Sequence, residues 1–406
     1  MKRNDRSRHF RTMLAHAGRP PRSEHGFVNA PLHRGSTVLF PSVAMREAYR
    51  GKALDQALVY GAQGGPTHHA LEDVVAAIEG GTRSQIVSTG VAAVTTALFA
   101  YLRSGDHCLM PDGVYGPTRR FCETIARDMG IETTYYRPGL DASGVERLMT
   151  PRTRVIFAES PASHTMEMQD VSMLAGVAHG HGARLILDNT WGLHFFQPFE
   201  HGVDCSVQAA TKYIAGHSDV MLGAITVATD ADWERVRRAA LVLGHYASPD
   251  DCWLALRGAR TLAIRLETHM RSGLAVAAWL RDRPEIAAVL HPGLPGAPGH
   301  DLWRRDFTGA CGLFTVAFGA SFGPAEVDAF ADALELFGIG ASWGGFESLV
   351  LPTSASITRT AGALPHPGVL CRFHVGLEDP LDLIADLEQA LARISSATRS
   401  AGHEGA

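Results

Sequence analysis

The chain has no excess of basic charge: 37 Lys and Arg stand against 42 Asp and Glu, a formal net charge of −5. The global positive field that phosphate-backbone binding exploits is therefore missing, and no nucleic-acid partner is expected. Cysteine is sparse, with 6 residues (Cys108, Cys122, Cys205, Cys252, Cys311, Cys371) and no C-x-x-C pair. That excludes a disulfide framework or zinc ribbon; reduced thiols in a cytoplasmic protein are expected, and no metal site. No run approaches the ~18 apolar residues of a membrane span, and the basic N-terminus has no apolar core of a signal peptide. No G-x-G-x-x-G lies between a strand and a helix, which argues against a nicotinamide-binding enzyme. No internal repeat is visible. What remains is a chain of 406 residues, 46% hydrophobic and 19% charged, with the balance of an ordinary globular protein of two or three domains.

The first 25 residues carry Lys2, Arg3, Arg6, Arg8, Arg11, Arg19 and Arg22. They read as a surface arm, either a solvated tail or a docking segment. From about Pro66 the pattern alternates. Thr67 can cap a helix in which Leu71, Val74, Val75 and Ile78 recur at helical spacing, with Gly80 and Gly81 stopping it. Short apolar runs at 85–87, 108–110, 155–157, 185–187, 205–207 and 224–227 predict strands, and helical patterns at 91–102, 119–129 and 168–179 separate several of them. Continuous apolar strands between helices indicate an α/β protein with a largely parallel sheet covered on both faces. Residues 250–282 read as one long helix or two; beyond lie a strand at 312–318 and helical runs at 324–337 and 381–395. The reading divides the chain into an N-terminal arm (1–59), a large domain (60–250) and a C-terminal domain (251–406).

Ligands in open α/β sheets sit beyond the carboxyl ends of the strands, so the polar residues there are the place to search. Asp188 follows the run 185–187, Thr211 and Lys212 follow 205–208, and Gly90 follows 86–87 across Ser88 and Thr89. A lysine among small residues at such a place can form a Schiff base with an aldehyde and shuttle protons once a substrate amine displaces it, although a loop lysine taken alone is more often solvated. A carboxylate ending a buried strand needs a cationic or donor partner. Gly90 at a helix start would let backbone N–H groups approach a phosphate. An aldehyde-binding amine, a ring-nitrogen partner and a phosphate cradle are together what pyridoxal phosphate requires.

The chain further resembles the Cys/Met-metabolism family of pyridoxal phosphate enzymes, and most closely its bacterial β-lyase branch. The stretches that carry the resemblance include STGVAAVTTAL at 88–98, ESPASHTMEMQDV at 159–171, LDNTW at 187–191, QAATKYIAGHSDVMLG at 208–223, RGARTL at 257–262, SWGGFESL at 342–349 and RFHVGLEDPLDLIADL at 372–387. They run in family order through most of residues 25–395. The resemblance implies an aminotransferase-like fold, a mostly parallel central sheet with a smaller C-terminal α/β domain, and a homotetramer built as a dimer of dimers. It implies that Lys212 binds the cofactor aldehyde, Asp188 pairs with its ring nitrogen and Tyr115 stacks on its ring. Gly90, Val91 and Thr211 would hold the phosphate, with Tyr60 serving the neighbouring subunit's site. Ser342 and Arg372 would hold the substrate carboxylate, Arg372 through its planar fork. Lys212 and Tyr115 would be the catalytic groups.

Two positions refine that picture. Where the family carries Tyr-x-Arg reaching a neighbour's phosphate, this chain has Tyr60 but Ala62; loss of the charged fork should cost about 1.5–3 kcal/mol of cofactor binding unless another cation substitutes. Trp343 stands where many γ-acting relatives carry leucine, which favours β-elimination from a small sulfur amino acid such as cystathionine. The remaining alternatives are γ-elimination or γ-replacement on methionine or O-acylhomoserine type substrates, and a non-catalytic cofactor-binding homologue.

Overall fold

The computed structural model describes residues 8–21 and 26–403; Lys2, Arg3, Arg6 and Arg22 lie outside them. Seven strands form the first sheet: β1 (Arg83–Val87), β2 (His107–Pro111), β3 (Glu132–Tyr136), β4 (Thr153–Glu159), β5 (Arg184–Asp188), β6 (Cys205–Gln208) and β7 (Gly223–Val227), in the order β1-β7-β6-β5-β4-β2-β3. Only β7 runs antiparallel to its neighbours β1 and β6; the other pairings are parallel. β2, β6 and β7 are buried along their whole length, as expected of strands with helices on both faces. The polar edge strand β3, Glu-Thr-Thr-Tyr-Tyr, is exposed at Glu132 and was invisible to a search for apolar runs.

A second, five-stranded sheet follows, with β8 (Ile286–Leu290), β9 (Leu313–Phe318), β10 (Gly338–Ile339), β11 (Leu349–Pro352) and β12 (Leu370–His374) in the order β10-β11-β12-β9-β8. It is mostly antiparallel. Phe314, Phe318, Phe330 and Phe373 fill the core between this sheet and its helices. The expected architecture, a mostly parallel central sheet with a smaller C-terminal α/β unit, is the one observed.

Several boundaries move for local reasons. Gly65, not Thr67, caps the helix Pro66–Glu79; the Thr67 hydroxyl is spent on His33 N (2.9 Å) and Pro31 O (3.3 Å) instead. The helix expected from 168 starts at Val171, because Asp170 accepts Met173 N at 3.0 Å as its cap. The run 119–129 starts earlier, at Gly116, with Pro117 in its first turn, and passes into a π-helical turn over Cys122–Ala126. The segment from 324 stops at Asp332, and the Asp386 carboxylate accepts the N–H groups of Glu335 and Leu336 at 2.8 Å each. Residues 250–282 resolve into two helices, Pro249–Ala259 and Leu262–Arg281. The N-terminal segment is not a solvated tail where it is described: Phe10–His16 is helical, buries Met13 and Leu14, and stacks Phe10 on His194.

Candidate active site

A cavity of about 290 Å³ opens at the carboxyl ends of the first sheet, between it and the segments before β11 and along β12. Thr89, Gly90, Val91, Tyr115, Asp188, Thr211, Lys212, Ser342, Trp343 and Arg372 all line it. Residues separated by up to 283 positions in the chain therefore meet at one place, where topology puts ligands in such sheets.

Asp188 ends β5, and Thr190 donates to its Oδ1 through both N (3.0 Å) and Oγ1 (2.6 Å). Both bonds fall on one oxygen, which leaves Oδ2 for a donor from the cavity. Burial raises the Asp188 pKa, with the Thr190 bonds and Lys212 pulling the other way. Behind it, the carboxylate of Glu79 accepts Asn189 Nδ2 (2.8 Å) and Gln208 Nε2 (2.6 Å), tying the ends of β5 and β6 together. Lys212 sits in the turn after β6, where its N–H donates to Ala209 O at 3.0 Å. Its Nζ donates to Ser342 Oγ at 2.7 Å and lies 5.5 Å from the Trp343 ring centroid. Burial, then the nearby Arg372 guanidinium, lower its pKa to about 8 against the opposing pull of Asp188.

Gly90 begins the helix Gly90–Tyr101, capped by Thr89, whose side chain accepts Ala92 N at 3.0 Å. The first N–H groups of a helix have no partner within it. A Cβ on Gly90 would stand 2.8 Å from Ala209 Cβ, so only glycine lets this helix start approach the turn that carries Lys212. Arg372, on β12, donates from Nη2 to Ser342 O at 3.1 Å. Ser342 has φ 86°, an unusual left-handed conformation for a residue with a side chain.

The sequence profile described as "Cys/Met metabolism PLP-dependent enzyme" matches residues 11–392. The chain belongs to that family. It is 43% identical over 394 residues to the cystathionine beta-lyase of Bordetella avium, covering 95% of this chain and 98% of that protein. It is 39% identical over 390 residues to the cystathionine beta-lyase MetC of Escherichia coli K12, with 94% and 98% covered. The crystal structure of metB from Corynebacterium glutamicum superposes with a TM-score of 0.88 at 31% identity, covering 96% of this chain and 99% of the other.

Pyridoxal phosphate is thus the cofactor of this enzyme, and the cavity fits it. The family member supplies a desolvated amine, a buried carboxylate with one oxygen spare, a glycine-bounded helix start for an anion and an aromatic ring, Tyr115, all on one wall system. One expected residue is engaged elsewhere. The Thr211 hydroxyl is engaged with the Leu222 backbone, donating to O at 3.0 Å and accepting N at 2.9 Å. Tyr60, expected to serve a neighbouring subunit's site and not this one, lies outside the cavity, half exposed and bridged to Thr37 at the end of the N-terminal segment.

Glu159 received no role from its sequence, yet it ends β4 in register with Asp188 and accepts Tyr115 N at 2.8 Å. Burial and then Asp188 push its pKa well up. Its signal was available: a carboxylate closing an apolar strand next to another such strand, the same cue that marked Asp188. Trp191, His164 and Met221 also line the cavity; no sequence cue assigned them.

Proposed function

We propose that this enzyme is a carbon–sulfur lyase that carries out β-elimination on cystathionine or a related cysteine S-conjugate, releasing a thiol (homocysteine from cystathionine), pyruvate and ammonia. The observation that carries the reading is the Lys212 Nζ contact to Ser342 Oγ, on the segment whose carbonyl takes Arg372. It puts a movable proton carrier next to the two groups suited to a carboxylate. The β-lyase names of the relatives support the regiochemistry.

When bound, pyridoxal phosphate supplies an aldehyde carbon that captures the substrate amine and a conjugated ring that accommodates negative charge from the α-carbon. Lys212 would hold the aldehyde carbon until the substrate amine takes its place, and Asp188 would anchor the ring nitrogen. Gly90 and Val91 would offer N–H groups to the phosphate, joined by Thr211 if its hydroxyl turns from Leu222, while Tyr115 covers the ring. Arg372 and Ser342 would fix the α-carboxylate, so that the α-hydrogen faces Lys212 Nζ. A lysine with its pKa lowered to about 8 keeps an appreciable neutral fraction near neutrality and can accept that proton. Burial, then Asp188 and Glu159, raise the Tyr115 pKa, so its phenol retains a proton. The departing sulfur would be protonated from Tyr115 Oη or Lys212 Nζ.

The same reading extends to assembly and place. A homotetramer, with Tyr60 serving a neighbouring copy, is supported by the exposed apolar residues Phe27, Leu39, Val43 and Tyr60 of the N-terminal segment. A cytoplasmic location is supported by six unpaired, buried cysteines. The test is to incubate cofactor-loaded protein with cystathionine and assay both keto acids. Pyruvate with homocysteine is expected, and Lys212→Ala should yield neither and should not be labelled on borohydride reduction; 2-oxobutyrate as the main product would replace β- by γ-elimination.

A further inference from the structure

Residues 342–345 form a hook over Lys212. Ser342 and Gly344 both take φ 86°, and a Cβ on Gly344 would lie 3.1 Å from Lys212 Cα and 2.9 Å from Tyr213 N. Such a left-handed serine persists only where the surroundings hold it. From the cavity side the hook is touched by Lys212 Nζ and by Arg372 Nη2, one on the Ser342 hydroxyl and one on its carbonyl. From beneath, His374 reaches it, on β12 two residues beyond Arg372 and 1% exposed. Its Nε2 lies 3.0 Å from Gly344 N and 3.2 Å from Gly345 O. Either neutral tautomer therefore engages the hook, accepting from Gly344 or donating to Gly345. Its Nδ1 is buried with no hydrogen-bond partner among the described residues.

A buried imidazole with one orphaned nitrogen is costly, and an apolar residue would pack there without that penalty. The ring is wedged against Tyr213 (centroids 6.0 Å apart) and His269 (5.3 Å), and Tyr213 in turn packs edge-on against Trp343 at 5.5 Å. Burial, and then His269, keep it neutral, which suits a group facing a backbone N–H. The one thing the polar Nε2 does that a hydrocarbon cannot is to pin the backbone of the hook.

We propose that His374 is a positioning residue for substrate carboxylate binding: its Nε2 fixes the 342–345 hook, and through it the Ser342 hydroxyl and the orientation of Arg372. This role depends on Ser342 and Arg372 being the carboxylate holders proposed above. It does not involve contact between His374 and substrate.

The test uses the cofactor-loaded enzyme and two small amines, glycine and methylamine, which differ by the carboxylate. Dissociation constants are read from the visible absorbance change of the bound cofactor. His374→Leu and His374→Asn both lose the group at the Nε2 position, Asn keeping a polar atom only near Nδ1; His374→Gln restores an amide near Nε2 that can accept or donate. Expected is a rise of at least fivefold in the glycine constant for the Leu and Asn variants, less than fivefold for Gln, and less than fivefold for methylamine in all three. A merely structural role would weaken both amines together, and that result overturns the proposal. So does a glycine constant that moves less than fivefold in His374→Asn while Arg372→Leu raises it more. Should Arg372→Leu itself leave glycine binding unchanged, the carboxylate assignment fails first and the role of His374 with it. If His374→Leu does not fold, the Asn and Gln variants decide the matter, with melting temperature as the control.

Discussion

Lys212 is one of three lysines in the chain, beside Lys2 and Lys52; the other positive charges among Lys and Arg are arginines, which cannot form an imine at accessible pH. Its chemistry follows from surroundings: a short turn after β6, a buried cavity and a guanidinium nearby together make an ordinary ammonium easier to deprotonate. Ala62 is the residue-scale counterpart on the debit side. It lies in the 3-10 turn Gly61–Gln63, at the end of the segment from which Tyr60 would reach a neighbouring copy. Ala62→Arg is expected to tighten pyridoxal phosphate, by roughly tenfold if about 1.5 kcal/mol of charged hydrogen bonding is regained. Equilibrium dialysis of the cofactor checks this, and an unchanged affinity would show that another cation already fills that place.

At the scale of elements, the helix start at Gly90, the turn at Lys212 and the 342–345 hook meet with almost no room between their backbones. Glycine is required where two of these pieces touch. Gly344→Ala would place a methyl group 3.0 Å from Lys212 C and 2.9 Å from Tyr213 N while forcing alanine to φ 86°. Strain of that kind costs on the order of 1–3 kcal/mol before any displacement of Lys212 is counted. The variant should melt several degrees lower by calorimetry and show slower borohydride trapping of the cofactor at Lys212. A melting curve and trapping rate equal to those of the parent would mean that the hook yields freely.

Across the whole molecule, the segment 353–361 ties the second sheet's side back to the first. Asp112, fully buried just after β2, accepts Arg119 Nη2 at 2.6 Å, Thr360 N at 2.9 Å and Ala361 N at 2.8 Å, with Arg359 Nε 3.2 Å away. Arg359 also pairs with Glu167 at 2.5 Å. Burial alone would raise the Asp112 pKa, but the N–H groups of Thr360 and Ala361 and the two guanidiniums outweigh it and hold it below the ordinary carboxylate value. A depressed carboxylate contributes stability that is present above its unfolded pKa of about 3.9 and is lost as pH falls through the folded value. Asp112→Asn is expected to cost about 1.5–3 kcal/mol at pH 7, since it removes the buried charge that Arg119 and Arg359 share while Glu123 and Glu167 remain as their partners. Urea midpoints should show the gap from wild type narrowing below about pH 4; a gap that stays constant there would mean that Asp112 is not what the acid attacks.

The linear order of apolar runs, helix caps and glycines was enough to establish an α/β chain, because the periodicity of 2 or 3.6 and the burial it implies are local properties. Lys212, Asp188 and Gly90 were legible because each lies within a few residues of the end of an apolar strand. Arg372 and Ser342 were legible only through resemblance to a family, since nothing local marks an arginine on β12 as different from any other. The edge strand β3, the register that sets Glu159 beside Asp188 and the placement of His374 under the hook came from tertiary structure, although the carboxylate closing β4 was itself visible in the sequence. Each depends on which strands become neighbours and how two sheets face one another, and those pairings are decided by the packing of the whole chain, which no short window of residues contains.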